Sequence, residues 1–257
     1  MNSFKNSYNS SKLQAIHASI HSDSESNDTY YPDSMEESID NDNESVKKNF
    51  ELSNKLTNHY GDLLKKTEHS KALQSYTVKS YSINNDLWNN HEKKGEFSPE
   101  FAAHSPGSAK TAYLAMKENT RPLDKALKDY KTPHELSVWS SSIHDPRIKK
   151  NSEGLMHHPA YLSTSIYKPV AMNRDINSKE DDSGDYHHHI LKIHVPEGHP
   201  GAYVNHISSH PGEYEFLLPR GLNLKHIHTD HQKTTIYNYY KEKYATKHTY
   251  IHHMEIP

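Results

Sequence analysis

The spacing of apolar residues changes character about halfway along this chain. Residues 1–45 are dominated by Ser, Asn, Asp and Glu, as in HSDSESNDTYYPDSMEESIDNDNES. Too few apolar positions recur there to offset the entropy of ordering, so a disordered or weakly ordered polar tail is expected. Over 46–69, Phe50, Leu52, Leu56, Leu63 and Leu64 return at loosely helical spacing, which predicts a helical linker. In SINNDLWNNH, Ile83, Leu87 and Trp88 stand at i, i+4 and i+5, as on a short amphipathic helix. After Lys110, TAYLAMKENTRPLDKALKDY predicts two helices divided at Arg121-Pro122. Pro122 suits the first turn of the second, where its missing N–H costs little.

Beyond Tyr130 the texture becomes that of short strands: ELSVWSS, AYLSTS, HHILKIHVP, GAYVNHI and YEFLLP. Pro133, Pro146, Pro196, Pro200-Gly201, Pro211-Gly212, Pro219 and Gly221 punctuate them. Helices followed by a run of strands indicate an α+β domain. The polar IYNYYKEKYATKHTYIHHMEIP that closes the pattern suggests one last edge strand, Thr249 to Ile256. No internal repeat is visible.

Composition narrows the function. Only 32% of the 257 residues are hydrophobic, so the core must be concentrated in part of the chain. A formal net charge of -3 without a long basic run argues against nucleic acid as the main partner. With no cysteine, thiolate nucleophiles, thiolate metal sites and disulfides are excluded. There is no N-terminal apolar h-region and no run of ~18 apolar residues, so neither a secretory signal nor a membrane span is expected. The 23 histidines include His187-His188-His189 and His252-His253. Consecutive histidines on a strand point to opposite faces and cannot all reach one ion, so these are expected to be surface residues without a ligand role. His194, on an apolar strand, is expected to be packed and hydrogen-bonded.

Two motifs carry candidate chemistry, Tyr161-Leu162-Ser163-Thr164-Ser165 and Pro211-Gly212-Glu213-Tyr214-Glu215-Phe216-Leu217-Leu218-Pro219-Arg220-Gly221. The Pro-Gly turn followed by FLLP places Glu213 and Glu215 at a strand mouth. Their i, i+2 spacing would point both carboxylates to one face and Tyr214 to the other. Paired carboxylates in different environments can divide acid and base work, although ordinary half-exposed strands alternate in the same way. Ser163 and Ser165 share the same spacing, and alone they are equally explained by strand and turn hydrogen bonding.

Taken together, the motifs resemble the R-S-E class of mono-ADP-ribosyltransferases, most closely the forms of tailed bacteriophages. The resemblance runs from about Leu73 to Ile227 and includes SYSINNDLW, RPLDKAL, ELSVWSSSIHDPR, HHPAYLSTSIYKPVA, HHILKIHVPEGHPGAYV and PGEYEFLLPRG. It implies a transferase domain over 70–257, with helices packed against two short, mostly antiparallel sheets around an NAD cleft. By the same resemblance, Glu215 stabilises the cation formed as nicotinamide leaves, and Glu213 engages the acceptor, a Glu there going with arginine. Ser163 orients Glu215, and Thr164 and Ser165 frame the nicotinamide pocket. NAD is the substrate and no metal is implied. The acceptors would be host proteins of transcription or translation in a bacterial cytoplasm, with delivery alongside the virion and NAD-capped RNA as alternatives to consider.

One departure stands out. The family places an Arg after the aromatic of its first motif, and aligning Val138-Trp139 there puts Ser140 at that position. A hydroxyl cannot replace a bidentate phosphate contact. Arg147 and Arg174, the latter in the loop NRDINSKEDDSGDY, are the nearest substitutes, although Arg147 could equally be a surface ion-pair partner. The first rival reading is a catalytically weakened binding or virion-associated module on the same fold; the second is a secreted toxin against eukaryotic cells, against which the missing signal and cysteines argue mildly.

Overall fold

The computed structural model describes residues 39–63, 65, 67–92, 120–142, 145–147, 151, 153–174, 179–238 and 241–257. The chain divides into two compact units, Met1–Leu52 and Ser53–Pro257. The described part of the first is helical, and the boundary falls within helix α1 (Ile39–Leu63). Most of the tail expected over 1–45, and the helix expected just after Lys110, lie outside the described residues. No helix among the described residues is long and apolar enough to cross a membrane.

In the second unit, α1 buries Ser53, Leu56 and Tyr60, one face at helical spacing. Tyr60 sets its ring edge-on to Tyr130 and Phe216, and its hydroxyl donates to the Lys131 carbonyl (3.0 Å). Helix α2 (Thr67–Glu92) buries Leu73, Tyr76, Ile83 and Leu87 along one stripe. It is one continuous helix rather than the short one expected around Ile83. Helix α3, described over residues 120–129, includes Pro122 and buries Leu123, Ala126 and Leu127.

Nine strands follow among the described residues: β1 (Leu136–Ser142), β2 (Met156–His158), β3 (Leu162–Ser165), β4 (Lys179–Glu180), β5 (Tyr186–Val195), β6 (Ala202–Tyr203), β7 (Glu215–Leu218), β8 (Leu222–Asn238) and β9 (Lys243–Glu255). The five-residue helix α4 (Lys168–Met172) lies between β3 and β4. The strands join in the order β2-β8-β9-β5-β1-β3-β7-β6, with β4 on β5. The α+β architecture expected from the sequence is therefore present, with a mixed sheet. Two blocks are visible in it, because β1 meets β3 through the one registered pair Trp139↔Ser165. By contrast, β1 and β5 pair from Leu136↔Val195 to Ser142↔His189.

Three expectations are corrected. The last strand is no edge: β9 lies between β8 and β5, parallel to β5 with Ile190↔Ile251 in register. The 17-residue β8, unforeseen, pairs antiparallel with it. His188 and His252 are fully buried rather than on the surface, because β9 covers the strand that carries the first of them. His194 is exposed instead of packed, since strand alternation turns Ile193 and Val195 inward and leaves it facing out.

One close approach fixes the position of β7. A Cβ on the buried Gly201 would stand 2.7 Å from Phe216 Cε1 and 3.1 Å from its Cζ, and that ring is fully enclosed. Gly201→Ala is therefore expected to destabilise the protein by about 1–3 kcal/mol, through overpacking against the ring. Urea denaturation monitored by circular dichroism checks this; an unchanged midpoint would show that the ring yields freely.

Candidate active site

The site is built from the β3–β7 ladder. Leu162↔Leu218, Ser163↔Leu217, Thr164↔Phe216 and Ser165↔Glu215 are in register. Every residue of β7 is buried, Glu215 included at 5% exposure. Burying a carboxylate on an otherwise apolar strand demands a donor, and Ser163 supplies one across the diagonal, Oγ to Glu215 Oε1 at 2.5 Å. Burial nevertheless outweighs this bond and pushes the Glu215 carboxyl up to about 7, with the nearby Glu213 charge adding to the rise. Tyr76 of α2 stands over the same pair, its hydroxyl receiving a bond from Asn84 Nδ2 (2.8 Å).

Glu213 is held differently from the i, i+2 strand geometry expected. Pro211–Glu213 form a 3-10 turn, and Tyr214 adopts a left-handed conformation (φ 49, ψ 43) before β7 begins at Glu215. That conformation is unfavourable for a bulky side chain. Here the Tyr214 N–H donates to Asn205 Oδ1 (3.0 Å) and its carbonyl accepts from the Ile166 N–H (3.2 Å). The left-handed step carries Glu213 to the same cleft as Glu215 without the alternation of a strand. Glu213 is 38% exposed and accepts a charge-assisted bond from Arg174 Nη2 at 2.7 Å.

Both carboxylates open onto one small cleft. It brings together Ser140, Ser163, Thr164, Ser165, Glu213 and Glu215, together with Trp139, Ser141 and Arg174. Three of the sequence-predicted hydroxyls are already engaged by the scaffold. Ser140 Oγ donates to the Ser163 carbonyl (3.0 Å), Thr164 Oγ1 to the Phe216 carbonyl (2.5 Å), and Ser165 Oγ accepts from the Tyr167 N–H (3.0 Å). Arg147 is not brought to the cleft. Asp145 holds its guanidinium through Nε (2.9 Å) and Nη2 (2.5 Å), and the group lies 5.9 Å over the Tyr250 ring. Among the described residues lining the cleft, Arg174 is the one that carries a positive charge. Tyr76 and Asn84 were missed as site residues; the Ile-Asn pair in SINNDLW was the signal that could have led to Asn84.

Residues 42–229 match the family model described as ADP-ribosyltransferase exoenzyme. No curated protein matches the chain by sequence. Among solved structures, the enzymatic component C2-I of the C2-toxin from Clostridium botulinum superposes with a TM-score of 0.52 at 17% identity, covering 79% of this chain and 47% of that one. The ADP-ribosylating toxin BECa of a binary enterotoxin of C. perfringens, solved with NADH, gives 0.51 at 17%, covering 80% and 48%. The chain thus spans about half the length of both. Plx2a, an ADP-ribosyltransferase toxin from Paenibacillus larvae, is covered over 95% of its length by 80% of this chain, at 18% identity and a TM-score of 0.48. At these identities the likeness to the first two is one of fold.

The raised Glu215 carboxyl makes a stability prediction. Because its folded-state pKa, about 7, lies above the ordinary 4.5, the ionised form opposes folding. Stability is therefore lost as pH rises between those values, by about 3 kcal/mol in all, and no further above them. Glu215→Gln is expected to be more stable than the wild type at pH 8, with the difference fading below pH 4.5. Thermal unfolding across pH 4–8 measures this; a pH-independent difference would contradict the burial argument.

Proposed function

The chain belongs to the ADP-ribosyltransferase exoenzyme family, and from that premise we propose that the Glu215 cleft takes NAD as substrate and transfers its ADP-ribose to arginine. The observation that carries the arginine reading is the pairing of Glu213 with a guanidinium at the cleft mouth, 2.7 Å from Arg174 Nη2. A carboxylate that receives one guanidinium has the position and charge to receive another.

In this reading the bond between nicotinamide and ribose breaks, the electron pair leaves with nicotinamide, and positive charge develops on the ribose. Glu215, ionised, faces that charge in a site largely shielded from water, where electrostatic stabilisation is strongest. Ser163 fixes the carboxylate against β3 so that little reorganisation accompanies the step. An acceptor guanidinium, with a pKa of roughly 12.5 or more, must lose a proton as its nitrogen bonds to the ribose carbon, and Glu213 is the base placed at the rim. Arg174 takes the place left by Ser140 as the cation for the NAD phosphates, because it lines the cleft and Arg147 does not; on NAD binding it exchanges Glu213 for phosphate. The structures of BECa with NADH and of C3stau2 from S. aureus with NAD show members of this fold holding such dinucleotides, which supports the substrate assignment.

The phage-type motifs support a further reading, in which the acceptors are bacterial host proteins of transcription or translation and the enzyme works in the host cytoplasm. Ser140 favours one rival, a module that keeps the fold and has lost turnover. Its hydroxyl ties β1 to β3 and offers no charge.

Incubating the protein with labelled NAD and a bacterial lysate separates these readings. Glu215→Gln is expected to lose transfer and NAD hydrolysis by at least ~10². Glu213→Gln is expected to lose arginine transfer and keep hydrolysis. Full transfer by Glu215→Gln would refute its role, and a wild type without labelling or nicotinamide release would favour the module.

The same assay distinguishes the two arginines. Arg174→Ala is expected to raise KM for NAD at least ~10-fold, in keeping with loss of a charge-assisted phosphate contact. Arg147→Ala should leave that KM unchanged. The reverse pattern would move the phosphate anchor to Arg147.

A further inference from the structure

The histidine runs behave differently in the sheet than in the sequence. Within each run alternate residues diverge, but the parallel pairing of β5 with β9 brings His189 of the first run beside His252 of the second. His189 Nδ1 and His252 Nε2 are 2.9 Å apart. The Asp145 carboxylate joins them, and the ligand-type atoms of all three lie within 4.8 Å of one another. These residues lie on the second unit, away from the cleft lining.

We propose that Asp145, His189 and His252 form a binding site for a divalent transition metal, with Zn2+ the best match.

Two nitrogens bound to one zinc at ~2.0–2.1 Å stand roughly 3.3 Å apart in tetrahedral geometry, so the rings need to open by only about 0.4 Å. Two imidazoles and one carboxylate are a common zinc donor set, with a fourth position left for water. The supporting contacts are those a metal-binding histidine normally has. His252 Nδ1 bonds Thr229 Oγ1 at 2.9 Å, and that hydroxyl bonds His226 Nε2 at 2.8 Å, which leaves His252 Nε2 turned toward His189. Arg147 bonds both Asp145 oxygens and fixes the orientation of the carboxylate.

The second group of this kind, His228, Asp230 and His253, is a weaker candidate. Its histidines already partner Asp230 at a solvent-exposed edge, and His228 stacks on His253 at 3.8 Å. A metal at the first site would pin the segment following β1 to β5 and β9. Since β1 carries Trp139, Ser140 and Ser141 of the cleft wall, the metal would act as a staple behind the site and take no part in its chemistry.

The test uses the whole chain, stripped with a chelator, titrated with Zn2+ by calorimetry and with Co2+ by visible absorption. One Zn2+ per chain is expected, with a tetrahedral Co2+ spectrum and a rise in Tm on metal addition. His189→Asn and Asp145→Asn should each weaken Zn2+ binding at least ~10-fold and remove the Tm rise. Both avoid replacing the fully buried His252, and their circular dichroism in the absence of metal checks folding. His253→Gln should bind as the wild type. Absence of Zn2+ binding, unaltered binding by His189→Asn, or loss of binding in His253→Gln would each overturn the proposal.

Discussion

Glu215 stands on a four-residue strand whose other members are Phe, Leu and Leu, all of them removed from water. A carboxylate in that position loses its hydration and must be compensated, and its one short side-chain bond comes from Ser163. Much of the architecture serves that contact. Ser163 reaches Glu215 only while β3 and β7 hold their register, because a one-residue slip would send one of the two side chains to the opposite face. The register depends in turn on Phe216, pressed against Gly201 on one side and facing Tyr60 of α1 on another. Tyr76 and Asn84 bring α2 to the same point. The compensation remains incomplete, as the raised carboxyl shows.

The parts of this arrangement that follow period and punctuation were legible in the sequence. Pro-Gly turns bounded the short strands, and Ser163 and Glu215 fell on strands as expected. What escaped was long-range or polar. The β8–β9 ribbon carries His, Lys, Thr and Tyr on both faces, so it lacks the apolar alternation that announces a strand. Glu213 was misplaced because spacing alone does not reveal a left-handed residue, and Tyr gives no warning of one in the way Gly or Asn would. That Arg147 stays off the cleft lining goes with Asp145, whose grip on it is a matter of loop geometry rather than of pattern.

Strand β1 connects two otherwise separate regions. One of its faces lines the cleft, Ser141 bonds the buried His188, and the chain that leaves it reaches Asp145 within three residues. Along the same sheet, Tyr250 lies stacked among His187, His189 and His231, with ring centroids 4.5–5.9 Å apart. These rings form a half-exposed stack on the sheet where a central strand normally carries aliphatic residues.

The insertion of β9 between β5 and β8 has a consequence in time. Ile190 pairs with Ile251, sixty-one positions later, so β5 emerges from a ribosome long before its neighbour exists. Until then its free side is an open edge able to pair with the wrong strand. The sheet cannot zip up from local contacts alone and must wait for the β8–β9 hairpin to form and dock as one piece. Pairings of such long sequence separation are slow to form. The rate of folding is thus set less by the part of the protein that holds Glu215 than by a polar ribbon at the far side of the sheet.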